Sequence, residues 1–168
     1  MKTLEGWIID VYVSGSEMVV WVIDTEERAQ ILRDTFIPAF YVGGEAKDLR
    51  ALARFILDQP WDVRLSWTEC IERRLEYPIP VLQVEVMNPD HFSAIYQRVA
   101  RARPKLQYYN GPNSIVRQYF LARGLSLFAF CQFIVDDENL ILGREVAITG
   151  CESARVFKMA MSGNKKRT

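Results

Sequence analysis

Residues 32–44, LRDTFIPAFYVGG, form the segment from which the rest of the fold follows. Three aromatic residues surround Pro38, which fixes its own φ and lacks a backbone N–H donor. The Gly43-Gly44 pair behind them is typical of a turn. We therefore predict an extended segment that lies at a sheet edge or enters a strand, and we do not expect a central strand here.

The amino-terminal residues predict an antiparallel meander that includes this segment. Residues 6–13 and 17–23 are rich in Val, Ile and Trp, and the Ser-Gly-Ser turn between them suits a hairpin loop. A charged turn then leads into a third strand at residues 29–33. Residues 1–44 are thus predicted to form a first domain, a β-meander with one buried face.

Residues 45–109 predict a second domain in which helices and strands alternate. Apolar residues recur at helical spacing in residues 45–59, and apolar and polar residues alternate with a period of two in the strands. Asn88 or Asp90 is predicted to cap the second helix. The predicted order is a helix at residues 45–59, strands at 61–69 and 81–87, a helix through residue 102 and a strand at 105–109. With one strand from the start of the chain, this approximates the βαββαβ arrangement of ferredoxin-like and RNA-binding-like domains.

Residues 110–161 predict a helix followed by a β-hairpin. Ser114 caps a helix that Gly124 ends, strands at residues 126–135 and 140–149 form the hairpin, and one more strand follows at 154–161. The basic tail, residues 162–168, is predicted to be disordered. The fold class is therefore α+β.

The totals exclude several classes of protein. With 168 residues, 49% of them hydrophobic, the chain can fill its own core. Lys plus Arg and Asp plus Glu number 21 each, so nucleic-acid binding would require a local patch. Three cysteines without a CxxC pair indicate a reducing compartment, and the absence of an apolar span predicts a cytoplasmic protein without membrane contact.

Catalytic and metal-binding motifs are absent from the sequence. It contains no GxxxxGK[ST], GxGxxG, GxSxG or HExxH pattern and only one histidine. Asp136, Asp137 and Glu138 are the only tight acidic cluster, and we interpret them as a solvated hairpin turn. We predict that this chain alone is not catalytic and holds no cofactor or metal.

A local group of basic and aromatic residues follows the second helix. Cations with neighbouring tyrosines are typical of a surface that tracks phosphates and stacks unpaired bases. The candidate nucleic-acid-binding residues are Arg98, Arg101, Arg103, Lys105, Tyr108, Tyr109 and Arg117, with Arg123 on the same helix as Arg117. The alternative is that these cations only favour a helix C-terminus and are solvated.

Five short motifs follow one another along residues 6–125. They are GWIIDVYV (6–13), FIPAFYV (36–42), PIPVL (78–82), NPD (88–90) and QYFLARGL (118–125). Similar motifs occur in the same order in the N-terminal domain of family B DNA-directed DNA polymerases of archaeal or bacterial type. The chain resembles that domain over most of its length.

The resemblance implies a non-catalytic domain that guides single-stranded template DNA in replication or repair. It would pack on the exonuclease and palm domains of the same polypeptide, toward which residues 110–161 would lead. Magnesium-dependent nucleotidyl transfer would belong to the full-length polymerase, because the DxxSLYP and YxDTD carboxylate motifs are absent here.

In archaeal members of the family, this domain also holds a pocket that senses deaminated bases, chiefly uracil. By the matching motifs, its walls would fall on Pro38, Ala39, Pro78, Val81 and Pro112. The alternative is that these prolines only shape strand edges and turns.

Two other functions stay open. One is a free-standing βαββαβ module that binds single-stranded DNA or RNA by stacking, which would expose aromatics on its central strands. Against it, Trp67 and residues 81–86 are predicted to lie in the core. The other is a protein-interaction domain without nucleic-acid contact, which the balanced charge permits.

Overall fold

The computed structural model describes residues 1–71, 77–112 and 115–146, which show the predicted α+β fold with mainly antiparallel strands. The elements are β1 (Lys2–Ser14), β2 (Glu17–Asp24), β3 (Ala29–Thr35), β4 (Ala39–Gly43), α1 (Ala46–Leu57), β5 (Val63–Ile71), β6 (Pro78–Val86), α2 (Phe92–Ala102), β7 (Gln107–Tyr109), α3 (Ile115–Arg123), β8 (Phe130–Val135) and β9 (Ile141–Val146). The Ser114 cap, the strand at 154–161 and the tail at 162–168 lie outside the described residues. No described helix is both long and apolar enough to cross a membrane.

The contacts divide the chain into two compact units. The first combines Met1–Thr35 with the chain from Tyr119 onward, and the second is Phe36–Gln118. In sequence, the second unit is therefore inserted between β3 and the second half of α3, because the boundary after Gln118 falls within this helix. The three domains expected from sequence, with boundaries after residues 44 and 109, stay a prediction. The partners of β4, however, lie in the second unit and not in the amino-terminal meander.

A long first strand organises the first unit, whose sheet has the order β3-β2-β1-β8-β9. β1 pairs with β8 through residues 2–7 and with β2 through residues 6–14, both antiparallel. Gly6 stands where β1 passes from one partner to the other, and a Cβ there would collide with the Ile23 carbonyl oxygen. The strand can serve both partners because Gly6 has no side chain to block this approach.

The sheet of the first unit nearly closes on itself. Arg33 of β3 forms an isolated parallel bridge with Leu140, the residue before β9. A three-stranded meander, a helix and a hairpin that returns to β1 give the connectivity of a five-stranded barrel of the OB type. Phe133 is fully buried inside, whereas Tyr12 and Trp21, 42% and 37% exposed, occupy the opposite face of the sheet.

The hairpin turns 24–28 and 136–140 are built in the same way. The Asp24 carboxylate accepts the N–H groups two and four residues ahead at 3.0 and 2.9 Å. The Asp136 carboxylate does the same at 2.9 and 2.8 Å. The next-to-last residue of each turn has a positive φ, which is 60° at Glu27 and 62° at Asn139. Asp136 therefore has a structural role in its hairpin turn.

The second unit has the predicted βαββαβ order, with a sheet in the order β5-β6-β4-β7. The segment around Pro38 enters a strand, which is one of the two predicted alternatives, but the expectation that no central strand lies here is wrong, because β4 lies between β6 and β7. The ladder begins at Ala39, one residue after the proline, so the missing N–H is not needed. The Pro38 carbonyl still accepts the Val86 N–H at 3.0 Å.

Two amphipathic helices cover one face of this sheet. Their buried stripes, together with the strands beneath, form a core of Phe40, Val42, Leu49, Leu52, Ile56, Leu82, Val84, Val86, Phe92, Ile95 and Val99. The rings of Phe40 and Phe92 meet edge to face with centroids 5.7 Å apart. Asn88 caps the 3-10 turn before α2 by accepting the Asp90 N–H at 3.0 Å. Trp67 was wrongly predicted to be core, since it is 55% exposed.

Candidate nucleic-acid interface

Four exposed cations lie at the C-terminal end of α2 and in the loop behind it. The apolar side of α2, Phe92, Ile95 and Val99, packs into the core, which turns the intervening basic residues toward solvent. The residues that form this cationic ridge are Arg98, Arg101, Arg103 and Lys105, all exposed. Their position also suits the partial negative charge of a helix C-terminus.

The charges of the cationic ridge are not compensated by neighbouring carboxylates. Among the described residues, no carboxylate forms an ion pair with any of the four ridge side chains. By contrast, Arg28, Arg64 and Arg144 each pair with a carboxylate at 3.0 Å or less. The ridge is thus a local positive patch on a chain whose net charge is zero.

A shallow cavity of about 270 Å³ adjoins the ridge. Arg103 and Lys105 contribute to its wall, and Asp48 of α1 brings one negative charge. The rest of the lining is Ala51, Ala102, Pro104 and Leu106. The cavity therefore offers a small apolar floor beside two cations.

The two tyrosines of the predicted interface point to opposite sides of the sheet. The Tyr108 hydroxyl lies within hydrogen-bond distance of the Val99 and Arg103 carbonyl oxygens, at 3.2 and 2.9 Å, and its ring meets Tyr96 at 5.8 Å. Burial, with the nearby Tyr96, raises the pKa of Tyr108 to about 12. Tyr108 is therefore anchored in the core and does not present a free face to a base.

Tyr109 occupies the face of the sheet that the helices do not cover. It pairs in register with Tyr41 of β4, and its hydroxyl donates to the Gln107 side-chain oxygen at 2.9 Å. Arg117 is exposed on α3. The four ridge cations therefore lie together at the end of α2. Tyr109 lies apart from them, on the face of the sheet that the helices do not cover.

The residues predicted for a base-sensing pocket are spread along β4 and β6. Ala39 pairs with Glu85 at one end of the ladder and Val81 pairs with Gly43 at the other. Four residues of strand separate the two positions by roughly 13 Å. Pro38, Ala39 and Val81 are buried, Pro78 is exposed, and Pro112 is partly exposed in its turn. The pocket stays a prediction, and this spacing does not support it.

The described residues do not fit a two-metal catalytic centre. Within residues 1–71, 77–112 and 115–146, no three His, Cys, Asp or Glu side chains converge as metal ligands. Burial raises the pKa of the Cys131 thiol to about 11, which leaves it protonated and unreactive at neutral pH. Cys151 lies outside the described residues.

Sequence reasoning missed a charged cluster in the first unit. The buried Asp34 carboxylate accepts from the Tyr119 hydroxyl at 2.9 Å and from Arg144 at 2.8 Å, and Arg123 lies 3.2 Å away. Arg123 is thus part of this cluster in the first unit. Burial and the Asp34 charge raise the pKa of Tyr119 well above its usual range, so its hydroxyl stays protonated. No local pattern joins these residues, which come from β3, α3 and β9.

Neither protein-family comparison nor comparison with curated proteins gives a match. Among solved structures, the chain is similar to the family B DNA polymerase from the hyperthermophilic archaeon Pyrobaculum calidifontis, with a TM-score of 0.62 and 18% sequence identity. The similarity covers 88% of this chain but only 21% of the polymerase chain. At this identity, the match shows a similar fold over 88% of this chain and nothing beyond the fold.

Proposed function

We propose that this chain is a non-catalytic domain of a family B DNA polymerase that guides single-stranded template DNA. The observation that carries the proposal is the fold similarity to such a polymerase over 88% of the chain. The order of the sequence motifs supports the same family independently. Magnesium and nucleotidyl transfer would belong to the polymerase and exonuclease domains of the parent protein, which would act in DNA replication or repair in the cytoplasm.

The cationic ridge is the best candidate for contact with DNA. Its four uncompensated charges lie within eight residues of chain, so they can follow successive phosphates of one strand. Phosphate contacts position a strand without reading its sequence, which is what a template guide requires. The exonuclease and palm domains of the same polypeptide would be the second class of partner.

Fluorescence anisotropy with a labelled single-stranded oligonucleotide tests the ridge. We expect weak, salt-dependent binding that the triple variant Arg98→Glu, Arg101→Glu and Arg103→Glu weakens at least tenfold. Each lost phosphate contact should also reduce the slope of log affinity against log salt by roughly 0.7.

A matched control separates a local patch from net charge. Lys47→Glu, Arg50→Glu and Arg54→Glu together make the same charge change on exposed positions of α1. We expect this control to lose much less affinity than the ridge variant. Equal losses in the two variants would remove the ridge from the proposal.

A free-standing single-strand-binding module is the second candidate, and one observation favours it. Tyr12 and Trp21 are exposed side by side on the outer face of the first unit, with the Trp21 indole N–H donating to the Tyr12 hydroxyl at 3.3 Å. Barrels of this connectivity bind oligonucleotides on that side. If Trp21→Ala abolished binding and the ridge variant did not, this candidate would replace the first. No binding by any variant would favour a protein-interaction domain.

A further inference from the structure

A polar pocket lies in the seam between β3 and β9 of the first unit. Its volume is about 380 Å³, and the residues that define this seam pocket are Asp34, Thr35, Arg123, Ile141, Leu142, Gly143 and Arg144. β3 and β9 are the two outer strands of their sheet, joined in the described structure by the one bridge at Arg33 and Leu140. Outer strands leave alternate backbone N–H and C=O groups without a ladder partner, so the seam has polar walls.

The side chains of the seam pocket carry a net positive charge. Two guanidinium groups, Arg123 and Arg144, share the single buried carboxylate of Asp34. A carboxylate offsets one of the two charges, so one positive charge remains. Both arginines are partly buried, with 28% and 19% of their side chains exposed, so this charge is less screened than a charge on the surface.

The donors of Arg123 are only partly used. One terminal nitrogen donates to the Thr35 carbonyl oxygen at 2.6 Å. The Nε atom lies 3.2 Å from Asp34 but is buried without a hydrogen-bond acceptor among the described residues. A ligand oxygen could supply the acceptor that this N–H group lacks.

We propose that the seam pocket binds a phosphate-type oxyanion. A guanidinium presents a planar fork of donors that matches phosphate oxygens, and two forks at one carboxylate leave most donors available. The oxyanion accepts from Arg123 and Arg144 and neutralises the remaining charge. Asp34 holds both arginines in place, and Tyr119 holds Asp34. The ligand is either free phosphate or a phosphodiester of a nucleic acid.

Titration of the folded 168-residue protein with inorganic phosphate tests the proposal, with chloride at equal ionic strength as the reference. We expect the thermal midpoint to rise along a saturable curve, and the Nε–H resonance of Arg123 to shift in ¹⁵N NMR spectra with the same dissociation constant. The absence of saturable binding beyond the chloride effect overturns the proposal.

Three variants distinguish an anion site from a purely structural cluster. Arg144→Gln should weaken phosphate binding at least tenfold. Asp34→Asn should tighten it several-fold, because it removes the competing negative charge, whereas a structural cluster predicts no gain. Arg28→Gln is the matched control, since Arg28 also pairs with a buried aspartate, Asp24, but beside Glu26. Unchanged phosphate affinity in Arg144→Gln overturns the proposal even if Asp34→Asn does not fold.

A competition experiment identifies the source of the phosphate group. If a single-stranded oligonucleotide displaces inorganic phosphate from Arg123, the ligand is a phosphodiester, and if it does not, the ligand is free phosphate. Both results support the site. The inference does not rest on the proposed function, because the ridge variant tests DNA binding through other residues and leaves Arg123 and Arg144 unchanged.

Discussion

Asp24 and Asp34 are both buried carboxylates of the first unit, ten residues apart, but they are satisfied in opposite ways. Every described partner of the Asp24 carboxylate lies within six residues of it, in the turn and the start of β3. The partners of the Asp34 carboxylate, Tyr119, Arg123 and Arg144, lie 85 to 110 residues away in sequence. Asp24 therefore shapes one turn, whereas Asp34 fixes β3 to two elements from the other end of the chain.

This difference shows which interactions hold together the first unit, whose sequence is interrupted by the second. The second unit, Phe36–Gln118, separates β3 from the elements that complete the first unit. Strand pairing between β1 and β8 rejoins the two pieces, and the Asp34 cluster adds a charged contact that α3 and β9 must both reach. A local turn forms without that closure, but the cluster forms only with it.

Loss of the distant carboxylate should have the largest effect. Asp34→Ala leaves two partly buried guanidinium groups without their counter-charge. We expect a loss of about 2–4 kcal/mol in the free energy of unfolding. This is less than the cost of breaking a fully buried ion pair, because the arginines are partly exposed to solvent. Urea unfolding followed by circular dichroism measures it.

Asp24→Ala is the paired measurement for this prediction. Its partner Arg28 is mostly exposed and can turn to water, so the loss should be clearly smaller than at Asp34. If Asp24→Ala were the more destabilising of the two, the distinction between local and distant carboxylates would not hold.

Removal of a single hydroxyl should have an intermediate effect. Tyr119→Phe deletes one hydrogen bond to the Asp34 carboxylate in a fully buried environment, for which we expect a loss of about 1–2 kcal/mol. Tyr12→Phe is the control, because its hydroxyl is on an exposed side chain and should cost much less. Equal urea midpoints for the two variants would mean that Asp34 does not use the Tyr119 hydroxyl.

Periodicity and turn chemistry predict most elements of this fold because both act over a few residues. The amphipathic helices, the hairpins and the charged turn at Asp24 follow from spacing alone. The position of β4 does not, because a proline one residue before a strand leaves the ladder intact. Trp67 keeps the alternation of β5 but is 55% exposed, so alternation predicted its face and not its burial.

The candidate site was predicted in part for the same reason. The exposed cations of α2 follow from its helical period, and the opposite directions of Tyr108 and Tyr109 could have been deduced, since adjacent strand residues face opposite sides. The cluster around Asp34 has no such signal. Its members are joined only by the path of the chain around the inserted unit, which no local pattern encodes.

The smallest expected effect is the contribution of the Asp24 carboxylate to the loss of stability at acidic pH. Burial alone would raise the pKa of the Asp24 carboxyl, but hydrogen bonds from Arg28, Gln30 and the Glu26 N–H outweigh it and lower the pKa from 3.8 to about 2. The unfolded chain therefore binds a proton first, and the stabilisation present above about pH 4 is lost as the pH falls toward about 2. Asp24→Asn keeps an oxygen acceptor for the turn but binds no proton. Its urea midpoint should thus fall less than that of the wild type over this range, and identical pH profiles would show that the Asp24 turn does not contribute to acid sensitivity.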